Sequence, residues 1–343
     1  MRPVSRLRAA LLAWYDEHRR ALPWRAPPGE RADPYRVWLS EIMLQQTTTA
    51  HAAPYFEAFV RRWPTVDDLA GAEDGEVMAA WAGLGYYARA RNLLACAREV
   101  QARHGGQFPA DEVALRSLSG VGRYTAAAVT AIAFEAPANV VDGNVERVMA
   151  RLFALETPLP AAKPQLTALA AVFVTPERPG DWAQALMDLG ATVCRPRAPL
   201  CDACPWRSAC RAFASGAPET YPRRSPKAGR PQRFGAVFVL AHKGEVALVR
   251  REPKGLLGGM LGLPTTAWTD RAPTEGEILA AQPAPGPWRE AGAVAHVFTH
   301  FALALRVFQG EAEQLQEAPG ALWTPLDKAR VIVPSLFAKA LKL

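Results

Sequence analysis

The stretch Leu118–Asp142 constrains the fold more than any other part of the chain. Within it, Ser119–Gly122 carries two glycines at a spacing of two, which predicts a hairpin that can adopt positive φ and approach a bulky partner closely. Arg123–Phe134 is rich in alanine and contains neither Gly nor Pro, so it predicts a helix, and a short apolar helix is expected before the hairpin. A helix start next to a hairpin leaves free N–H groups, and we therefore expect Gly120 and Gly122 to lie at a phosphate.

Asp142 stands where the next helix begins. Pro137 ends the alanine-rich helix, and Asp142-Gly143-Asn144 precedes a helix predicted over Val145–Leu155. The carboxylate of Asp142 is thereby held at a helix start, close to the predicted phosphate site. An ordinary N-cap is the alternative interpretation of this residue.

A second carboxylate of interest lies in a predicted helix that starts at Asp33-Pro34. Glu41 shares one stripe of this helix with Val37 and Leu44, so apolar side chains flank its carboxyl group. Desolvation there would raise its pKa, although most helical glutamates are solvated. The predicted buried face beside this stripe consists of Tyr35, Trp38, Leu39, Ile42 and Met43.

The length of 343 residues predicts two domains. Residues 1–214 are predicted to be an all-α unit, and Ser215–Arg233, with four prolines and five basic residues, is predicted to be a stiff linker. Residues 234–343 then predict a small α+β unit, so the fold class is multidomain α and α+β. Its expected strands are Ala236–Ala241, Val246–Arg250 and Ala302–Val307, with a further strand at Leu322-Trp323 and a closing helix over Pro334–Leu341.

The charge balance points to an anionic partner. Forty Lys+Arg against thirty-three Asp+Glu give a net charge of +7, which suits nucleic acid. No apolar run approaches the length of a membrane span, and Leu7, Leu11, Trp14 and His18 recur at helical spacing rather than forming a signal peptide. We therefore expect an intracellular, cytoplasmic protein without membrane attachment and without disulfides.

Four cysteines fall within seventeen residues, in the pattern C-x6-C-x2-C-x5-C. So compact a set of thiols can converge on one inorganic centre. Structural zinc usually takes two short-range pairs, and the pattern contains one, so the uneven spacing favours a [4Fe-4S] cluster over zinc or disulfides. The predicted ligands are Cys194, Cys201, Cys204 and Cys210.

Together, the glycine hairpin, the later aspartate and the cysteine pattern resemble the endonuclease III superfamily of helix-hairpin-helix DNA glycosylases. Within that superfamily the chain is most similar to the adenine DNA glycosylases of MutY type. The similarity covers about residues 7–214 densely and resumes in the C-terminal unit, which in that family has a Nudix-like fold. The matching strings are LPWR (Leu22–Arg25), DPYRVWLSEIMLQQT (Asp33–Thr47), WAGLGYYARARNL (Trp81–Leu93), SGVGRYTAAAV (Ser119–Val129), VVDGNVERV (Val140–Val148) and HVFTHF (His296–Phe301).

The resemblance implies a division of labour between the two carboxylates, and the residues support it. Cleaving an N-glycosidic bond requires an acid at the leaving base and a carboxylate beside the cationic sugar. Glu41, on its apolar stripe, is the better acid and is implied to protonate adenine N7. Asp142, beside helix-end dipoles and the polar Asn144, is the better anion and is implied to stabilise the sugar or to bond to it briefly. An adenine in a duplex must first be flipped out.

The resemblance also implies roles for individual residues. Tyr124 stands where endonuclease III enzymes have a lysine that forms a Schiff base and nicks the strand; because a phenol cannot do this, the chain is expected to leave an abasic site. For Trp24 and Leu44, core packing is an equally good interpretation. The implied adenine pocket contains Arg25, Leu44 and Gln184 with Trp24 in its wall, and the implied wedges into the duplex are Gln46 and Tyr86.

The C-terminal unit is predicted to recognise a base rather than to catalyse. A Nudix hydrolase needs a helix bearing several glutamates, and the segment from Gly259 to Glu277 has no such cluster. The family resemblance implies that a loop senses 8-oxoguanine opposite the adenine, here through Phe298, Thr299 and His300, with Thr299 in place of a serine.

Three functions follow as hypotheses. The first is a monofunctional glycosylase that removes adenine opposite 8-oxoguanine or guanine from double-stranded DNA, acting as a monomer. The second is an endonuclease III-like glycosylase and lyase for oxidised pyrimidines, which Tyr124 and the added C-terminal unit disfavour. The third is a non-catalytic iron–sulfur DNA-binding protein, which the presence of both Glu41 and Asp142 disfavours.

Overall fold

The computed structural model describes residues 3–226, 229–252, 255–298, 300–314, 318 and 320–343. It divides into two compact units, Met1–Ser225 and Pro226–Leu343. The helical unit predicted from the sequence ends at residue 214, whereas residues 215–225 pack with it in the structure. The reason is that Tyr221 is buried and its carbonyl oxygen accepts a hydrogen bond from Arg151 Nε at 3.1 Å.

The first unit is built from helices joined by short turns. None of the helices in the described parts of the chain has both the length and the apolar character needed to cross a membrane. The α-helices are α1 (Val4–His18), α2 (Pro34–Leu44), α3 (Thr49–Arg62), α4 (Val66–Ala70), α5 (Asp74–Ala80), α6 (Ala88–His104), α7 (Glu112–Arg116), α8 (Arg123–Phe134), α9 (Gly143–Phe153), α10 (Lys163–Ala171), α11 (Pro179–Asp188) and α12 (Arg211–Ala214).

Helix α2 begins and packs as the sequence predicts. Asp33 caps it by accepting hydrogen bonds from the backbone N–H groups of Tyr35 and Arg36, and Pro34 occupies the first helical position. All five residues of the predicted face are buried, and Glu41 is buried with them at 6% exposure. Burying a carboxyl group among apolar side chains is costly, which marks Glu41 as a residue with a purpose other than packing.

The glycine hairpin lies between α7 and α8, and only one of its glycines needs the left-handed region. Gly120 has φ +74°, and a Cβ there would stand 2.8 Å from Asn92 Cβ. Gly122 instead has extended backbone, with φ −84°, so only Gly120 uses the positive φ that the two glycines allow. Gly122 is the N-cap of α8 and supplies no side-chain cap, so the first N–H groups of this helix stay available to a ligand.

Two separate hydrophobic cores fill the first unit. The buried face of α2 and the alanine-rich α8 belong to the first core, which is centred on Trp38 and Trp81. The second core surrounds Trp206 and holds the buried faces of α1 and α9. Consequently Glu41 on α2 and Asp142 at the start of α9 are fixed by different cores.

The described part of the second unit contains one six-stranded sheet flanked by three short helices. The strand order is β3-β2-β1-β5-β4, with β6 also pairing with β2; β1 and β5 run parallel, and the other pairs are antiparallel. The elements are β1 (Gln232–His242), β2 (Glu245–Arg250), β3 (Leu261–Gly262), α13 (Glu275–Ala280), β4 (Arg289–Val297), β5 (Ala302–Glu311), β6 (Leu322–Pro325), α14 (Leu326–Ile332) and α15 (Ser335–Ala340).

Strand β4 was missing from the sequence-based expectation. Its composition, REAGAVAHV, is rich in small residues, and Val294 is its single buried position. A half-exposed edge strand of this kind lacks the run of Val, Ile and aromatic residues by which strands are usually predicted. One consequence is that His296 and Val297 lie at the end of a strand, and the loop begins only at Phe298.

Candidate active site

One cavity of about 630 Å³ in the first unit collects most of the predicted site residues. Its lining also includes residues that sequence reasoning missed, among them Arg20, Met187 and a run of polar residues at the end of α2. Tyr86 is not part of the lining. The predicted residues found there are Trp24, Arg25, Glu41, Leu44, Gln46, Tyr124, Asp142, Asn144 and Gln184.

Glu41 meets the requirements of a general acid near neutral pH. Burial raises the pKa of its carboxyl group from an ordinary 4.5 to about 7. The Tyr124 hydroxyl and the Arg25 guanidinium lower this pKa, while the negative charge of Asp142 raises it. Because burial is the largest of these effects, the carboxyl group keeps its proton well above the pH at which an exposed glutamate ionises.

Tyr124 stands beside this acid near the start of α8. Its hydroxyl group donates to Met187 Sδ at 3.3 Å and lies close enough to the Glu41 carboxyl group to lower the pKa of that group. Burial raises the pKa of Tyr124 well above its ordinary value of 10, and the charges of Glu41 and Asp142 raise it further. The phenol therefore remains protonated and can serve as a hydrogen-bond donor.

Asp142 is held in place by two hydrogen-bond donors. It is the N-cap of α9: Oδ1 accepts from the backbone N–H of Val145, and Oδ2 accepts from Asn144 Nδ2, both at 2.7 Å. The positive end of the α9 dipole also favours negative charge at this position. The N-cap interpretation and the catalytic one are compatible, because capping fixes the carboxylate that faces the cavity.

Arg147 binds the amide oxygen of Asn144, whose amide nitrogen contacts Asp142. Its guanidinium group donates to Asn144 Oδ1 at 2.8 Å, to the Gly190 carbonyl at 2.7 Å and to the Cys194 carbonyl at 2.7 Å. The cysteine segment is thereby linked, through Asn144, to the carboxylate of Asp142.

Arg25 is fixed by a buried ion pair that the sequence did not indicate. Asp188, the last residue of α11, is fully buried and accepts from both terminal nitrogens of Arg25 at 2.6 and 2.7 Å. Arg20 Nε donates to the same carboxylate at 2.6 Å. Burial alone would raise the pKa of Asp188, but the two arginines outweigh it and lower that pKa. The pair holds Arg25 rigidly at the cavity wall.

Of the other predicted pocket and wedge residues, Trp24, Gln46 and Gln184 line the cavity and Tyr86 does not. Trp24 belongs to the first core as well as to the lining, and Gln184 donates from Nε2 to the Gly180 carbonyl at 3.2 Å. Gln46 and Tyr86 both have left-handed backbone, with φ 60° and 49°, and Tyr86 is 58% exposed. Left-handed backbone in residues other than glycine is strained and is typical of functional loops.

The four clustered cysteines line one small cavity of the first unit together with Arg151 and Arg207. All four are free thiols, and Arg151 donates to Cys194 Sγ at 3.3 Å. Among the described residues, no three potential ligands are arranged around a point that a single metal ion could occupy. Cys96 is buried elsewhere, in the first core, as a packing residue.

In the second unit, Phe298 and His300 lie in the turn between β4 and β5, and Thr299 lies outside the described residues. The turn is closed by a hydrogen bond from Phe298 N to the Phe301 carbonyl at 2.9 Å. The Phe298 ring stacks on Trp268 at 5.9 Å and contacts the ring of Phe301 at 5.1 Å, which fixes the turn, while His300 is exposed.

Two family models match the chain. Residues 39–171 match the HhH-GPD superfamily of base excision DNA repair proteins, and residues 236–343 match the NUDIX domain. The fold is thus a helix-hairpin-helix glycosylase core followed by a NUDIX-like α+β domain, which confirms the predicted fold class.

Known proteins narrow the assignment. The chain is 37% identical to the adenine DNA glycosylase of Homo sapiens, over 93% of this chain and 70% of that protein. It is 34% identical to the adenine DNA glycosylase of Rattus norvegicus, over 95% of this chain and 75% of that protein. A solved structure of a thermostable thymine-DNA glycosylase is 30% identical with a TM-score of 0.55, over 62% of this chain and 97% of that one. The chain belongs to the adenine DNA glycosylase family, which confirms the predicted family and enzyme class.

Proposed function

We propose that this protein flips adenine out of double-stranded DNA opposite 8-oxoguanine or guanine, and hydrolyses its N-glycosidic bond. The observation that carries the proposal is the meeting of two unlike carboxyl groups in one cavity: Glu41, whose pKa is about 7, and Asp142, held by two donors and a helix dipole. Membership in the adenine DNA glycosylase family identifies adenine as the base that is removed.

In the proposed mechanism the two groups act on opposite ends of the breaking bond. Glu41 donates its proton to N7 of the flipped adenine, so that the base leaves neutral as the bond between C1′ and N9 breaks. Asp142 stabilises the cationic sugar, and water adds at C1′ and gives up one proton to the Glu41 carboxylate, which restores the acid. Tyr124, whose hydroxyl group lies beside the acid, lowers the pKa of Glu41, and Arg25, Leu44 and Gln184 enclose the base. The product is an abasic site in an unbroken strand.

The cysteine cavity supports a [4Fe-4S] cluster better than a zinc ion. Tetrahedral zinc, with bonds of about 2.3 Å, would draw four sulfurs to within about 3.8 Å of one another around one point. The cysteine spacing contains one short-range pair, Cys201 and Cys204, where structural zinc usually takes two, and all four thiols line one shared cavity that could hold a cluster. When bound, the cluster would crosslink residues 194–210 and so support the segment that Arg147 contacts.

A gel assay tests the proposal against its two rivals. A duplex with adenine opposite 8-oxoguanine should be cut only after alkali treatment if the protein removes the base and stops. Cutting without alkali would indicate the lyase, and no cutting in either case would indicate a DNA-binding protein.

We further propose that the protein acts as an intracellular monomer on chromosomal DNA. Sedimentation of the free and DNA-bound protein measures whether it is a monomer.

Replacing Tyr124 by lysine should add strand nicking to base removal. The Tyr124 side chain lies between the elements that carry Glu41 and Asp142, where an amine would reach the opened sugar aldehyde and form a Schiff base. Borohydride trapping of a covalent protein–DNA adduct is the measurement. Arg123→Lys is the matched control, since it places a lysine one residue away, outside the cavity lining. Absence of an adduct for Tyr124→Lys would show that this side chain does not reach the sugar.

The second unit should determine the preference for the base that stands opposite the adenine. Deleting residues 226–343, which form a separate compact unit, should leave measurable excision but reduce the preference for 8-oxoguanine over guanine opposite the adenine. His300→Ala should do the same more mildly, since one lost base contact is worth about 1–3 kcal/mol. Excision rates on the two duplexes at low enzyme concentration measure this preference. A folded truncated protein with the full preference would contradict the assignment.

A further inference from the structure

Arg89, at the start of α6, makes an unusual set of contacts for an arginine in that position. Cations are disfavoured at a helix N-terminus, where the dipole is positive. In the part of the chain that the structure describes, no carboxylate pairs with its guanidinium group, whose Nε is buried without a hydrogen-bond partner. Its other two nitrogens donate to four backbone carbonyls and one hydroxyl oxygen, so uncharged acceptors hold the side chain rather than a counter-charge.

One set of contacts is with the end of the helix that carries the acid. Arg89 NH1 donates to the carbonyls of Ile42 and Met43, each at 3.0 Å. These carbonyls belong to the last turn of α2, where backbone acceptors lack helical partners and a cation is favourable. The guanidinium group therefore caps α2 immediately after Glu41.

The other set of contacts joins the loops of both wedge residues. Arg89 NH2 donates to the Leu84 carbonyl at 2.9 Å and, more weakly, to the Gly85 carbonyl and Thr47 Oγ1, each at 3.4 Å. Thr47 directly follows Gln46, and Gly85 directly precedes Tyr86. The Arg89 guanidinium also lies 5.6 Å from the centre of the Tyr86 ring, so it contacts the exposed wedge itself.

Trp81 supports both the Arg89 guanidinium group and the loop that precedes Tyr86. The Trp81 side chain is fully buried in the first core, its ring centre lies 5.2 Å from the Arg89 guanidinium, and its Nε1 donates to the Gly85 carbonyl at 3.0 Å. Both Gln46 and Tyr86 have strained left-handed backbone, which persists only where neighbouring groups enforce it. Arg89 and Trp81 are the groups that the structure offers for this purpose.

We propose that Arg89 is a positioning residue for base flipping. It fixes the loops of both wedge residues to the end of α2, the helix that carries Glu41, so that the flipped adenine is placed next to this acid. The inference rests on the proposed function. It assigns the Arg89 side chain no contact with DNA; its effect passes through Gln46, Tyr86 and α2. A loss of this residue should therefore impair the removal of stacked, paired adenine more than the removal of adenine that is already unpaired.

The experiment compares single-turnover excision from two duplexes, one with adenine opposite 8-oxoguanine and one with adenine opposite an abasic-site analogue, where flipping costs less. Arg89→Met should lower the rate on the 8-oxoguanine duplex at least about tenfold more than the rate on the abasic-analogue duplex. The reason is that Gln46 and Tyr86 are then no longer held in place to offset the cost of unpairing and unstacking the adenine. Arg98→Met is the matched control: Arg98 lies on the same helix and donates to the Ala70 and Ala72 carbonyls at 3.2 and 3.0 Å, far from the wedge loops. It should leave the ratio of the two rates at its wild-type value.

Equal losses on both duplexes, or the same change of ratio in Arg98→Met, would overturn the inference. If Arg89→Met does not fold, as judged by thermal melting, Arg89→Lys is tested in its place. A lysine keeps the charge but cannot span both loops and α2, so the ratio should still change, and an unchanged ratio overturns the inference. Failure of the wild-type protein to remove adenine at all would instead overturn the proposed function, and the inference with it.

Discussion

Replacing Glu41 by glutamine should lower adenine release by at least about a hundredfold, the lower end of what a positioned general acid contributes. The amide has the shape of the carboxyl group, so the cavity and duplex binding should be preserved, but it cannot protonate N7. Single-turnover excision and a binding titration with the same duplex measure the two effects. Glu57→Gln, on the exposed side of α3, is the control and should change neither.

The pH dependence of the wild-type rate tests the same group independently. Because the protonated form of Glu41 is the active one and its pKa is about 7, excision should fall as pH rises through 7, towards tenfold per pH unit. The fall should be absent from any residual activity of Glu41→Gln. Excision by Glu41→Gln within tenfold of the wild-type rate, or a flat profile between pH 6 and 9, would eliminate Glu41 as the acid.

The second large effect is expected for Asp142→Asn. Asparagine caps helices as well as aspartate does, so the bond from Val145 N to Oδ1 can be kept while the negative charge at the sugar is removed. We expect excision to fall by about 10²–10³-fold, as when a preorganised electrostatic stabiliser is lost. Thermal stability should fall only modestly, because the amide nitrogen that replaces Oδ2 cannot accept the hydrogen bond from Asn144 Nδ2. Single-turnover rates and melting curves measure the two quantities.

Asp111→Asn is the matched control for this substitution. Asp111 caps α7 by accepting from the Ala114 N–H at 2.8 Å and does not line the cavity. Its replacement should leave excision unchanged. If Asp142→Asn and Asp111→Asn have the same small effect, Asp142 is a cap and nothing more, which is the ordinary interpretation of an aspartate at that place.

Sequence reasoning recovered the parts of the site whose signals are local. The Asp33-Pro34 start and the spacing of apolar residues fix α2, and the same periodicity placed Glu41 next to its buried face. The hairpin and α8 follow from glycine and alanine content over a short window. These features depend on residues close in the chain, and for that reason the pattern alone sufficed.

The missing parts depend on contacts that leave no such pattern. Asp188 pairs with Arg25, which lies 163 residues earlier in the chain. Arg89 and Arg147 donate largely to backbone carbonyls. Every residue has a carbonyl, so an acceptor of this kind has no sequence signature. The meeting of Glu41 and Asp142 in one cavity was likewise implied by family resemblance, and the structure is what shows that their two helices converge.

The anchoring of the two carboxylates in different hydrophobic cores has a consequence for the safety of a base-removing protein. If the two carboxyl groups act as proposed, a polypeptide in which only one core has formed would hold only one of them in place. Such a chain would not release bases from DNA, where each uncontrolled release creates a lesion. On this proposal, base removal requires the completed fold of the first unit.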